Sequence, residues 1–251
     1  MTIALSVNLN KIALIRNSRE GSFPDVCEFG RICLEAGVQG LTVHPRPDQR
    51  HIRAADVPQL RALLKDYPDA EFNIEGNPFA GSQGAYPGLL ALIEATRPQQ
   101  CTLVPDTNTQ LTSDHGFDLI RDGDRLRPVI AQLRNWGVRV SLFMDPDCDQ
   151  IALARDVGAD RVELYTGPYA AAYSEDPVYA RTLFQHYCAA AEYAASVGLG
   201  VNAGHDLNLD NMRDFRQLPN LKEVSIGHAL TVDALRMGFT TAVTAYLALC
   251  K

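Results

Sequence analysis

Residues 40–52 read GLTVHPRPDQRHI, a short apolar run from Leu41 to Val43 that breaks into His44, Arg46 and His51. A run of that length bounded by proline has the form of a buried strand. Two imidazoles and a guanidinium crowded past its end are chemical groups rather than packing groups. Imidazole gives or takes a proton near neutral pH and guanidinium holds oxyanions, so the stretch suits an enzyme that acts on a phosphorylated small molecule.

Working outward, seven more short runs take the same form. With Gly40 to His44 they make eight: Ala4 to Asn8, Glu71 to Glu75, Gln100 to Val104, Arg139 to Met144, Arg161 to Tyr165, Gly200 to Ala203 and Glu223 to Ile226. A helix-stop residue stands before each of the last seven, namely Gly37, Pro68, Pro98, Gly137, Gly158, Gly198 and Pro219,. Strand and helix repeated eight times predict an α/β chain folded as a (β/α)8 TIM barrel with additional helices, one domain from residue 1 to 251. A doubly wound open sheet is the alternative. It would place a glycine-rich GxGxxG turn after the first strand, and that turn is absent from the sequence,.

Composition narrows the function. The 251 residues are 46% hydrophobic and 21% charged, with a net charge of -7, and the pI is about 5.3. Nucleic acid and anionic membranes need a broad positive field, so neither is an expected partner, and any phosphate affinity must be local. No apolar run approaches the roughly 20 residues of a membrane span. The start, MTIALSVNLNK, lacks the features of a secretory signal, and the expectation is a cytoplasmic protein,. Cysteines 27, 33, 101, 148, 188 and 250 form no CxxC pair and no zinc spacing, so free thiols and no metal are expected,.

In a barrel of this kind reacting groups sit at the carboxyl ends of the strands. There the sequence places Asn8, Asn10 and Lys11 after strand one, His44 and Arg46 after two, Glu75 at the end of three, Glu163 in six, Gly204, His205 and Asp206 after seven, and Gly227 and His228 after eight. The amino ends, with Gln39, Asp69, Arg139 and Lys222, are read as solvated and without a comparable cluster. Glu75 follows the apolar run Phe72 to Ile74, whose burial would disfavour its ionised form and make it a base near neutrality; a structural pairing with Arg46 is the alternative. Gly204 and Gly227 allow close backbone approach to a ligand. Lys11 is the one lysine that follows a strand, and either contacts an anion or, as a Schiff base, a carbonyl. Arg16 and Arg19 are candidates to reach an anionic ligand. The polar stretch DTNTQLTSDHGFD, within Asp106 to Asp122, has the composition of a mobile lid,, and TGPYAAAYSEDP leads into a helix from about Pro177 to Val197.

Taken together, NLNKIALIRNSR (8–19), GLTVHPRPDQRHI, FNIEGNP (72–78), VELYTGPYA (162–170), VNAGHDLNL (201–209) and VSIGHAL (224–230) resemble, in order and over essentially the whole chain, the pyridoxine 5'-phosphate synthase family. The resemblance implies a (β/α)8 barrel assembled as a homo-octamer. It implies condensation of 3-amino-2-oxopropyl phosphate with 1-deoxy-D-xylulose 5-phosphate, giving pyridoxine 5'-phosphate, phosphate and water, with neither metal nor organic cofactor. It assigns acid and base roles to His44, Glu75 and His205, and stabilisation of developing charge to Glu163. Contacts to the amino ketone phosphate fall on Asn8, Arg19, Gly227 and His228; contacts to the deoxyxylulose phosphate fall on Arg46, His51 and Thr112. Many members carry Asp-His where this chain has Asn10 and Lys11, and glycine where it has Asp206, so contacts there are expected to differ. Asp206 near a phosphate is unfavourable unless it points away or pairs with Lys11. The alternatives are another barrel enzyme on sugar phosphates (epimerase, isomerase or aldolase) and a non-catalytic phosphate-ligand binding paralogue.

Overall fold

The computed structural model describes residues 2–107 and 109–251; Asn108, within the expected lid, lies outside the described residues. The strands are β1 (Ala4–Asn8), β2 (Gly40–Val43), β3 (Glu71–Gly76), β4 (Gln100–Leu103), β5 (Arg139–Met144), β6 (Arg161–Tyr165), β7 (Gly200–Gly204) and β8 (Leu221–Ile226). Each runs parallel to the next, and β8 returns to β1, pairing Leu5 with Val224 and Val7 with Ile226. The expected closed (β/α)8 barrel is therefore the observed one, with strand ends shifted by one or two residues.

The helices are α1 (Asn10–Asn17), α2 (Val26–Glu35), α3 (Asp56–Leu63), α4 (Leu89–Thr96), α5 (Leu119–Asn135), α6 (Cys148–Asp156), α7 (Gly167–Glu175), α8 (Pro177–Ser196), α9 (Met212–Phe215), α10 (His228–Met237) and α11 (Phe239–Leu249). Aspartates start four of them. Asp25, Asp118, Asp147 and Asp176 each accept hydrogen bonds from backbone N–H groups of the first turn, which would otherwise go unpaired,. Gly37, Gly137, Gly158 and Gly198 end helices with φ between 76° and 96°, the left-handed turn that glycine adopts without a Cβ clash,. The stretch TGPYAAAYSE is mostly the extra helix α7, and Tyr169 packs it on Phe184 and Tyr187 of α8, with ring centroids 6.1 and 6.2 Å apart.

Period-two alternation divides each strand between two environments. Leu5, Val7, Leu41, Val43, Phe72, Ile74, Cys101, Leu103, Val140, Leu142, Val162, Leu164, Val201, Ala203, Val224 and Ile226 are buried in the apolar core. The alternate positions are polar and reach across the ring. Thr102 of β4 donates to Glu163 of β6 at 3.2 Å, and Gln100 of β4 donates to Glu223 of β8 at 3.3 Å. Bonds between strands that are not neighbours run through the interior, so the interior of this barrel is a hydrogen-bonded polar lattice. Ser6, Thr42, Asn73 and Thr102 form one belt of it, at 2.7, 3.3 and 3.1 Å.

The lattice corrects one expectation. The amino end is not merely solvated: Arg139 pairs with Glu71 and donates to Gln100 at 2.9 Å, and Arg161 pairs with Glu223 and donates to Asn202, at 3.1 and 3.0 Å. These residues occupy the inward positions one layer below the expected site, whereas Gln39, Asp69 and Lys222 are exposed around the amino-end cavity that Glu71, Arg161 and Glu223 also line. Burial raises the Glu223 pKa and Arg161 opposes that rise. Replacing Arg161 with Met should therefore destabilise the fold by roughly 3 kcal/mol near pH 8, the usual loss when one partner of a buried pair is removed. The loss should shrink toward pH 5, because burial favours protonation of Glu223 and the neutral acid needs no cation. Denaturant melts at the two pH values would check this.

Candidate active site

At the carboxyl end of the ring lies a cavity of about 300 Å³ lined by Asn8, Asn10, Lys11, His44, Arg46, His51, Glu75, Val104, Leu111, Thr112, Ser113, Phe143, Glu163, His205, Asp206, Ser225, Gly227 and His228. Of the residues expected in the site, Gly204 and Arg19 do not line it, and Arg19 is exposed just past α1. Arg16 is also elsewhere. It is buried in a forked ion pair with Asp56, at 2.6 and 2.9 Å, and donates to the His51 carbonyl at 3.0 Å. With Asn17, whose amide donates to the carbonyls of Gln49, Arg50 and His51, it holds the loop after β2 in place.

The candidate proton-transfer groups occupy one chamber. His44 Nδ1 stands 3.7 Å from Glu75 Oε2, and the Asn10 side chain fixes the root of His44 by accepting its backbone N–H at 2.9 Å. Glu75 accepts from the Asn8 amide at 3.4 Å and from the Ser225 hydroxyl at 3.5 Å. From the opposite wall His205 Nε2 meets the Thr112 hydroxyl at 2.9 Å, and His205 Nδ1 lies 2.9 Å from Asp206 Oδ2. The two residues have φ of 85° and 57°, a left-handed turn in which aspartate is tolerated better than most residues,. Asp206 thus faces the imidazole, and its pKa is lowered first by His205, with His228 and Lys11 adding.

Burial sets the electrostatics. Glu75 is held well above the ordinary carboxyl range by burial, then by Glu163 and Asp106. Glu163 is raised by burial and by Glu223, with the Thr102 hydroxyl opposing. His44 is pushed down to about 3 by burial, with Arg46 and Arg50 adding and Asp48 opposing. His51 is pushed down to about 2 by burial and the neighbouring His44, Arg46, Lys11 and Arg50. Its Nδ1 accepts from the Ile52 N–H at 2.9 Å, leaving Nε2 as a donor. Burial thus keeps His44 and His51 neutral near pH 7 and holds both carboxyls above their ordinary range.

Glycine serves this packing differently from the expected ligand approach. A Cβ at Gly227 would come within 2.9 Å of both Asn8 Cβ and the Asn8 carbonyl, and one at Gly204 would run into the Glu163 carboxyl. Both glycines make room for site side chains. Gly227 also caps α10, so the first N–H groups of that helix open beside the cavity, a favourable setting for a phosphate,.

Over the mouth runs the segment between β4 and α5, which carries Leu111, Thr112 and Ser113 to the cavity. Helix α5 begins at Leu119, so Asp122 is helical and the segment is shorter than expected. Its far end is pinned by Phe117 N–H on the Phe143 carbonyl at 3.0 Å and Gly116 N–H on Asp145 at 3.2 Å. At its near end is Asp106, a buried carboxyl that contacts both Arg46 and His44 and that sequence reasoning missed. Its signal was present: it lies three residues past the end of β4, but within a stretch read as lid.

The family profile described as "Pyridoxal phosphate biosynthesis protein PdxJ" matches residues 5–251. A relative from Xanthomonas campestris pv. campestris, named pyridoxine 5'-phosphate synthase, is 55% identical over 250 residues, covering 99% of this chain and 96% of its own. One of the same name from Albidiferax ferrireducens is 53% identical over 252 residues, covering 98% of this chain and 97% of its own. Among solved structures, 3-hexulose-6-phosphate synthase from Salmonella typhimurium has a TM-score of 0.62 at 17% identity with 100% of both chains covered, a likeness of fold.

The raised carboxyl has a consequence for stability. Glu163 moves from an ordinary 4.5 to about 8 on folding, so between those values the native chain binds the extra proton and stability falls as pH rises,. His44 and His51 act oppositely: their folded values lie below 6.5, so their contribution is present above pH 6.5 and is lost as pH falls. Glu163→Gln keeps an acceptor for Thr102 and removes the charge. Its melting temperature should match the parent near pH 5 and exceed it increasingly toward pH 8.5. A constant offset at all pH values would contradict the assignment.

Proposed function

The chain belongs to the pyridoxal phosphate biosynthesis protein PdxJ family, and from that premise we propose that its barrel mouth condenses 3-amino-2-oxopropyl phosphate with 1-deoxy-D-xylulose 5-phosphate. The products are pyridoxine 5'-phosphate, phosphate and water. The observation that carries the reading is the convergence of His44, Glu75 and His205 on one cavity whose rim is cationic and whose floor is carboxylic. That polarity supports binding two phosphates outward and an amine inward.

The chemistry needs repeated proton transfers. The substrate amine adds to the ketose carbonyl and one water leaves, enolisation allows loss of the ketose phosphate, and ring closure onto the amino ketone carbonyl expels a second water. Glu75 and His44 take protons, and His205 gives one to the leaving oxygen. His44 remains neutral at working pH because burial denies it a charge. An iminium formed near Glu163 is a cation beside a carboxyl, and each stabilises the charged form of the other. Arg46, His51 and Thr112 hold the deoxyxylulose phosphate, and Asn8, Gly227 and His228 the amino ketone phosphate; held so, two flexible molecules react as one. Asn10, Lys11 and Asp206 complete the wall beside the ketose, Lys11 as a cationic contact. Arg19 does not reach this cavity.

We infer further that the chain acts in the cytoplasm as an octamer that uses no metal or organic cofactor. Among the described residues no helix is long and apolar enough to cross a membrane. Leu14 and Ile15 of α1 and Leu235 and Met237 of the neighbouring α10 leave apolar side chains in solvent, which assembly would cover. Sedimentation velocity should give one species near eight chain masses; a monomer would contradict the assembly.

Mixing the two substrates with the protein should produce pyridoxine 5'-phosphate, followed by its absorbance. No product would overturn the assignment of the reaction. Because burial raises the Glu75 pKa, the acid limb of kcat/KM should lie above the usual carboxyl range. Glu75→Gln should reduce kcat by about 10²-fold or more with KM for both substrates nearly unchanged. Undiminished turnover would remove Glu75 from the role.

A further inference from the structure

Asp106 is 5% exposed and has no part in the proton transfers derived above. Its Oδ2 meets two groups at once: the guanidinium of Arg46, and His44 Nε2 at 3.3 Å. The surroundings are built to keep it there. Asn77 donates its side-chain amide to the Asp106 carbonyl at 2.7 Å, the Ser113 hydroxyl hydrogen-bonds the carboxyl, and the second Arg46 nitrogen donates to the Gln110 carbonyl at 2.6 Å. On the other side of the same imidazole, Nδ1 faces Glu75 at 3.7 Å. His44 is therefore strung between two carboxyl groups, and only one of them has an arginine.

A neutral imidazole carries a single N–H, and the nitrogen that carries it cannot accept a proton. A carboxylate kept ionised beside one ring nitrogen holds the proton on that nitrogen and leaves the other with its lone pair, as carboxylates behind metal-bound histidines do. Burial raises the Asp106 pKa, but Arg46 directly against it, with Arg50 and the Ser113 hydroxyl, opposes that rise and favours its ionised form, whereas Glu75 has no arginine against it and burial and neighbouring carboxyls hold its pKa well above the usual range. The asymmetry selects Nε2–H.

We propose that Asp106 is a positioning residue: through one oxygen it fixes His44 as the Nε2–H tautomer, with Nδ1 as the accepting nitrogen, and holds the Arg46 guanidinium at the cavity wall. The proposal rests on the reading of His44 as a proton-transfer group. It also connects the mouth segment to the chemistry, because Gln110, Ser113 and Asp106 belong to the same stretch as Thr112. The groups facing His44 are Glu75 from β3, Asp106 from the mouth segment, and Arg46, Asp48, Arg50 and His51 from the loop after β2.

The test reads the tautomer directly and does not depend on turnover. In protein labelled with ¹⁵N-histidine, with the His44 signals assigned by their loss in His44→Gln, the parent should show a protonated Nε2 and an unprotonated Nδ1 at neutral pH. Asp106→Asn should mix the two tautomers and lower kcat roughly 10–100-fold, the range seen when carboxylates behind histidines are removed. KM should change less than kcat, and the acid limb assigned to Glu75 should remain. Asp106→Glu should restore the Nε2–H pattern and most of kcat. An Nδ1–H signal in the parent, or the parent tautomer and parent kcat retained in Asp106→Asn, would overturn the proposal. Failure of the parent to make pyridoxine 5'-phosphate would instead strike the reaction assignment and leave the tautomer result standing.

Discussion

Two carboxyl groups, Glu75 and Glu163, are sealed inside one ring of strands, and among the described residues neither is paired with a lysine or arginine. An isolated carboxylate is strongly disfavoured in such a place, so the pair retains protons that water would remove. Glu163 adds to the resistance of Glu75 to ionisation, and Glu223 does the same to Glu163. A cationic amine or iminium entering the chamber reverses the balance, since it stabilises the ionised form that the empty chamber resists. The charge that makes the empty barrel unfavourable is the charge that a nitrogen-bearing reactant requires.

The rest of the site is arranged around that floor. Arg46, Lys11 and the first turn of α10 form a positive rim, while the carboxyls lie below. A phosphate is drawn to the rim and an amine to the floor, so a molecule carrying both is oriented before any bond changes. This local polarity explains how a chain of net charge -7 can bind phosphate. The polar lattice beneath the floor has a supporting role: Thr102 and Asn73 link Glu163 to the belt of inward hydroxyls, and the Arg161–Glu223 pair closes the layer below. Filling the interior with branched apolar side chains, as most such barrels do, would leave Glu163 without a hydrogen bond.

Much of this was legible in the sequence, for identifiable reasons. Strand ends at Asn8, His44, Glu75, His205 and His228 could be read because apolar runs stop abruptly there, and closure of the ring then brings them together whatever the details of packing. Family resemblance added Thr112, which periodicity alone does not reveal. Asp106 was missed because its neighbours are turn-forming residues, and its partners Arg46 and His44 are about 60 residues away in the chain. Arg16 and Arg19 look alike in sequence; only coordinates show one buried against Asp56 and the other in solvent. Arg139 looks solvated in sequence because its partner Glu71 lies 68 residues away and only closure of the ring brings the two together.

The central claim is that the empty chamber keeps a proton on its buried carboxyl pair at neutral pH. A ¹³C-carboxyl NMR titration of glutamate-labelled protein, with the signals assigned by Glu75→Gln and Glu163→Gln, measures this most directly. The account predicts that neither titrates with the surface glutamates and that at least one remains protonated above pH 7. Two carboxyls that both lose their protons near 4.5 would contradict it.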